Sequence, residues 1–387
     1  MTVTTAVVVL PRRMAGWATR RALARNSLTG IELACSLCAA VWFSAGTPLA
    51  ALGGGVALGG GYLTRRVGGQ LTVGAFDGWL ASACALAGEL AVYAGLAAGA
   101  ATGRTDVWAL ATGAAVLLGL RKVVRLCRNV APPPDKPQGS APWILAGRLL
   151  ALPAGERAVV ITVTAALYGA RITLLTLACW GAVAVAWAMA AAPRAGGYQR
   201  RAAATGVAAC RDDGPIARFA GQVVRGQLVP LPPAVAGLTA TVLLATLGMA
   251  DLAGPVLLTP VAAMLLAAPG SAHPHDGPLD WLAPPVVQAG QYVYLAALGA
   301  AMGVPGPVTF GLVSLAALWQ LDVAYQARHQ MSSPGRRTGL GWEGRMLAAG
   351  LGAMLGIATF AFLALATYLG WLLCRSTLVR WFAASRG

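Results

Sequence analysis

The chain has 387 residues, 57% of them hydrophobic and 11% charged, with a formal net charge of +16. Soluble domains carry about 25% charged residues, so this composition and a mean hydropathy of +0.67 exclude a soluble globular protein. The basic residues flank apolar runs and are not interleaved with aromatics on one face, which argues against nucleic acid and for the positive-inside bias of membrane proteins.

In hydrocarbon every backbone polar group must be bonded internally, which leaves helices or closed barrels. The apolar runs lack two-residue alternation and are long for strands, so helices are expected. The expected fold class is all-α, a polytopic integral membrane protein of about 12 transmembrane helices. Residues 1–28 read as a cytosolic basic amphipathic segment. In RRMAGWATRRALARN (12–26), Trp17 and Leu23 stand opposite arginines, as in a helix lying along the inner headgroup layer. Residues 6–10 are too short for a secretory signal, and arginines follow them rather than precede them.

Six spans are expected near 29–45, 47–64, 79–101, 106–121, 151–170 and 172–192, within a first membrane domain at 29–192. NVAPPPDKPQGSAP (129–142) reads as a Pro-rich cytosolic loop, and 193–226 as a basic cytosolic linker. Six more spans follow near 230–249, 252–268, 283–303, 306–324, 343–357 and 359–374, in a second domain at 227–387. With the N-terminus in the cytosol, only Arg104 and Arg171 of the 29 Lys and Arg fall in outward loops. The expected location is therefore the plasma membrane, multi-pass, with both termini cytoplasmic.

The two sets of six look like parallel pseudo-repeats. WLASACALAGELAVYAGLAA (79–98) matches WLAPPVVQAGQYVYLAALGA (281–300) at eight of twenty positions, four of them alanines. Arg25 and Leu28 precede the first span of one half, and Arg225 and Leu228 that of the other. GER (155–157) and EGR (343–345) each open a fifth span. GGGVALGGG (53–61) lies in a span without the GK[ST] ending of a phosphate loop and reads as close helix packing. Cys35, Cys38, Cys84 and Cys179 sit in apolar runs and read as packing residues.

Six spans, a cytosolic amphipathic leading helix and a motif between spans two and three resemble the CDP-alcohol phosphotransferase family. GGQL (68–71) is similar to that family's DGxxAR core, and DVWAL (106–110) and PAGER (153–157) resemble stretches of actinobacterial members. LDWLAPP (279–285) and WQLDVAYQAR (319–328) resemble the second, uncharacterised membrane domain that follows in those proteins. The resemblance implies phospholipid-synthesis chemistry, with Mg²⁺ or Mn²⁺ held by aspartates to neutralise a pyrophosphate, and a last aspartate as general base. It also implies a homodimer. Mapped onto this chain, the four aspartates fall on Arg65, Gly68, Ala81 and Ala85. Asp77 and Glu89 stand about 18 Å apart along a helix and cannot replace them. By the family mechanism the first half is inactive.

Other polar groups remain. Asp-Gly-Pro-Ile-Ala-Arg (213–218) fits DGxxAR by letter, but Cys210, Leu231 and Val235 occupy the other acidic positions, and a turn or helix start is expected. His273, His275, Asp276 and Asp280 are candidate metal ligands in a Pro/Gly loop. Asp322 with Arg328, and Glu343 with Arg345, are expected to form structural pairs. Asp280, Gln288, Gln291, Tyr292, Asp322 and Tyr325 are candidates to converge on one cavity, with Asp276, Asp280 and Asp322 the catalytic candidates.

Three functions stay open. The favoured one is a catalytically degenerate scaffold that binds a lipid or a CDP-linked nucleotide, or partners an active enzyme. A second is an active transferase on a CDP-linked, phospholipid or isoprenoid diphosphate substrate, with its site in the second half. The third is a transporter, compatible with parallel repeats. No cofactor is certain, and the partner common to all three is the lipid bilayer.

Overall fold

A computed structural model describes residues 25–70, 75–100, 106–128, 153–190, 210–225, 227–248, 254–273, 279–329 and 339–384. Residues 12–24, the 129–142 loop and linker residues 193–209 lie outside them. The regular structure among the described residues is helical, without a strand. In order it comprises α1 (Arg25–Ser44), α2 (Pro48–Gly68), α3 (Ala75–Ala100), α4 (Asp106–Arg128), α5 (Ala154–Ala190), α6 (Pro215–Val224), α7 (Leu231–Gly248), α8 (Thr259–Leu265), α9 (Ala283–Ala301), α10 (Gly306–His329), α11 (Gly341–Met354) and α12 (Ala358–Ala384).

Among the described residues seven stretches are long and apolar enough to cross a membrane, against an expected twelve. They are Asn26–Ser44, Phe76–Ala100, Asp106–Cys127, Ala154–Ala190, Gly254–Ala272, Gly306–Ala327 and Ala358–Phe382. The span expected at 230–249 is a shorter apolar helix, Leu231–Leu247, and for the others the reasons lie in the sequence. Glycines and the Arg65–Arg66 pair dilute α2, and two prolines and two glutamines dilute α9. α11 has only 14 residues. The runs expected at 151–170 and 172–192 are two helical segments of α5 that meet at Gly169 (φ 79°, ψ 171°), close to the expected boundary.

The chain divides into two compact units. Unit 1 holds α1, α2, α3, α4 as far as Ala111, α5 as far as Leu177, and the end of α12 from Arg380. Unit 2 holds the rest.

In unit 1, α1 packs on α2 and α3. Small residues set these contacts. Gly53 and Gly54 lie against the rings of Trp42 and Phe43, and a side chain at Gly95 would overlap the backbone of Ala40. The glycine run of α2 thus serves close packing, as its composition predicts. In unit 2, α9, α10, α11 and α12 enclose a core that includes Tyr292, Leu298, Leu312, Met346 and Phe362. There α7 packs on α8 and α9, with Gly237 and Gly290 against Met264.

Candidate functional site

Unit 1 gathers a row of alternating charges, with Glu32 and Arg157 buried and Arg65 and Glu89 partly exposed. Glu32 comes from α1, Arg65 from the last turns of α2, Glu89 from the middle of α3 and Arg157 from the first turn of α5. Arg65 Nε donates to Glu32 Oε1 at 2.6 Å, and its Nη1 lies 3.8 Å from Glu89 Oε1. Arg157 Nη1 donates to Glu89 Oε2, and Tyr93 shares a hydrogen bond with Arg157. The four groups line a cavity of about 50 Å³ together with Ser36, Tyr62 and Tyr93. Desolvating such charges costs several kcal/mol per ion, so each is held by an opposite neighbour.

The family's metal does not fit here. At the position of its first ligand Arg65 is tied to Glu32, Gly68 has no side chain, and Ala85 is buried among apolar neighbours. Ala81 completes the set without a donor atom. Among the described residues no group of three or more His, Cys, Asp or Glu is placed to hold a metal ion.

Unit 2 buries a second polar cluster. Arg345, fully enclosed at 0% exposure, pairs with Asp212 at 2.7 Å. It also donates to Gln291 Oε1 at 3.1 Å and to the carbonyl of Gly339 at 3.0 Å. Asp212 Oδ2 accepts from the Trp319 indole at 2.9 Å. Asp213 accepts from the Trp342 indole and from Arg211. The segment 210–214 leads directly into α6, with Gly214 at its N-cap and Pro215 at its first position. Glu343 Oε1 accepts the amide of Ala217 at 3.1 Å and so caps that helix. Burial holds the Glu343 carboxyl above the usual carboxylate range, partly offset by these backbone donors.

The sequence candidates are dispersed among these features. Gln291 belongs to the Arg345 cluster. Tyr292 donates to the Ala316 carbonyl at 3.5 Å, and Asp322 accepts from Gln326 on its own helix at 2.6 Å. Tyr325 stacks on His329. Asp280 is buried in the 3₁₀ turn before α9, and Gln288 is buried with an amide oxygen that has no hydrogen-bond partner among the described residues. His273 ends a 3₁₀ turn, its amide donating to Gly270. His275, Asp276 and the Arg328 side chain lie outside the described residues. Arg345 takes Asp212 as its carboxylate, while Glu343, two residues away on α11, faces α6. DGPIAR is the helix start expected of it.

Glu32 was not singled out in sequence, although it is the only acid in its apolar run. The sequence marks the Arg211–Asp213 segment only as a turn or helix start, because the indoles that Asp212 and Asp213 accept from stand more than a hundred positions away.

Residues 201–386 match a family described as of unknown function (DUF5941). No curated protein and no solved structure matches the chain.

Proposed function

We propose that this chain is a multi-pass protein of the plasma membrane that holds a phosphate-bearing ligand in the unit 1 cavity. The ligand is a lipid headgroup or a CDP-linked molecule, bound without the metal-dependent transfer of the family that the sequence resembles. The observation that carries this reading is the Glu32–Arg65–Glu89–Arg157 row around the cavity. Charged groups buried among apolar helices mark ligand sites by default. Guanidinium forks match phosphate oxygens bidentately, and Glu89, shared between the two arginines, is the group a phosphate displaces. At about 10–15 Å³ per water-sized sphere, 50 Å³ is room for one phosphate group.

Two copies of one six-helix plan form part of the same reading. Gln291 stands at the aligned position of Glu89, and Arg345 at that of Arg157 in the GER and EGR triplets. Glu89 contacts Arg157 in one unit and Gln291 contacts Arg345 in the other. The second copy has Gln for Glu and closes its arginine with Asp212, which supports a structural role for that copy and a ligand-binding role for the first.

The test uses the full chain in nanodiscs, with melting followed in phosphatidylcholine alone and with CDP-diacylglycerol or CDP added. At ligand near 100 times Kd the stabilisation is about 2.7 kcal/mol. The shift should persist in EDTA and vanish in the charge-neutral double variant Glu32→Gln with Arg65→Gln. A shift that requires Mg²⁺, or CMP release with an acceptor alcohol, would refute the metal-free reading.

A further inference from the structure

Unit 1 has a second cavity, of about 250 Å³, lined by the same four helices. The charged cavity takes Glu32 and Ser36 from α1, Leu58 to Arg65 from α2, Glu89 to Tyr93 from α3 and Ala154 to Ile161 from α5. The second takes Phe43 from α1, Thr47 and Ala51 at α2, Leu96 to Ala100 from α3 and Ala165 to Arg171 from α5. On every one of these helices the shift between the cavities runs the same way. It amounts to three to seven residues, or about 5–10 Å along a helix. The cavities therefore lie in line, at opposite ends of one four-helix seam.

Between them the seam is sealed by close packing at glycines. Gly55 meets the Thr162 side chain, Gly95 meets the Ala40 backbone, and Gly54 meets the Phe43 ring. Thr162 is held back by its own hydroxyl, which donates to the Ala158 carbonyl at 2.7 Å. Just beyond the seal, in the wall of the larger cavity, α5 breaks at Gly169, where an added Cβ would meet nothing within 4 Å. Sharp breaks with open space beside them are where packed helices hinge.

The charges indicate what would travel. Arg65 and Arg157 line the first cavity. Arg171 lines the second, paired with Asp106 at 3.1 Å. A cation in the wall of each cavity suits an anion.

We infer that the two cavities are the two mouths of one route through unit 1, closed here at the Gly55–Thr162 contact, along which a phosphate-sized anion crosses the membrane. The inference rests on the proposed anion site at Arg65 and Arg157, and adds translocation to it.

The experiment reconstitutes the full chain in phosphatidylcholine vesicles and follows uptake of inorganic phosphate, with melting in phosphate measured on the same preparations. Uptake should exceed that of protein-free vesicles. Thr162→Ala, which thins the seal, should raise it several-fold. Arg171→Gln should lower it several-fold while the melting shift caused by phosphate stays. A retained shift with uptake equal to protein-free vesicles, in both the natural chain and Thr162→Ala, overturns the route and leaves the binding site standing. Absence of both shift and uptake overturns both readings. Size-exclusion profiles confirm that each variant is folded.

Discussion

Arg345 and Asp212 form a pair whose removal has a predictable sign. Both are fully desolvated, at 0% and 2% exposure. Removing one partner of a buried pair costs roughly 3–5 kcal/mol, whereas replacing both costs far less. Arg345→Met should therefore lower the melting temperature sharply, and adding Asp212→Asn should restore much of the loss. A double variant no better than the single one would show that Trp319 and Gln291, not the charges, hold the segment. Glu343 gives a pH effect of definite sign. Its carboxyl is raised by burial, so the folded chain keeps a proton that the unfolded chain releases near the usual carboxylate value. That contribution is full below the unfolded value and is lost as pH rises through the folded one. Glu343→Gln should match the natural chain in acid, melt higher at neutral pH, and show a flatter profile. Individually these residues were legible: GER and EGR stood out as recurring triplets, and Gln291 as a polar group in an apolar run. Their partners were not, because a contact across 107 positions, as between Trp319 and Asp212, leaves no periodic trace.

At the scale of the element, apolar runs located the helices but overcounted the crossings. A run of about 16 residues marks a helix equally well whether it spans about 30 Å of hydrocarbon or packs inside a bundle. α9 shows the difference: its glutamines and tyrosines are buried against other helices, so its polarity is spent internally. α5 shows a boundary that was legible, two expected runs that meet at one non-helical residue. Gly169 has a backbone conformation open essentially to glycine alone. Because a Cβ there has nothing to strike, Gly169→Ala isolates the backbone term, and should cost about 1–3 kcal/mol in thermal or denaturant unfolding. A neutral result would mean that α5 straightens without penalty. The seal of α1 on α3 behaves differently. Gly95→Val should destabilise through overlap with the Ala40 backbone, with no backbone strain involved.

For the whole molecule, low charge and long apolar runs pointed to an all-helical chain, and the described residues are helical, with seven stretches long and apolar enough to cross a membrane. The interleaving of the two compact units was not legible: α4, α5 and α12 each contribute to both, and hydropathy follows the chain, not the packing. Nor was the weight carried by residues 210–225. Read as a linker, they supply the counter-ion of Arg345 and a helix capped from α11.

That last feature fixes where the polypeptide can be cut. A fragment that starts at 227 inherits a guanidinium sealed in apolar surroundings with its anion left behind, and should aggregate on expression. One that starts at 201, where the family match begins, carries Asp212 with it and should remain dispersed in detergent. The boundary of the second half as a portable piece is therefore electrostatic, set by a carboxylate that belongs to the helices downstream of it.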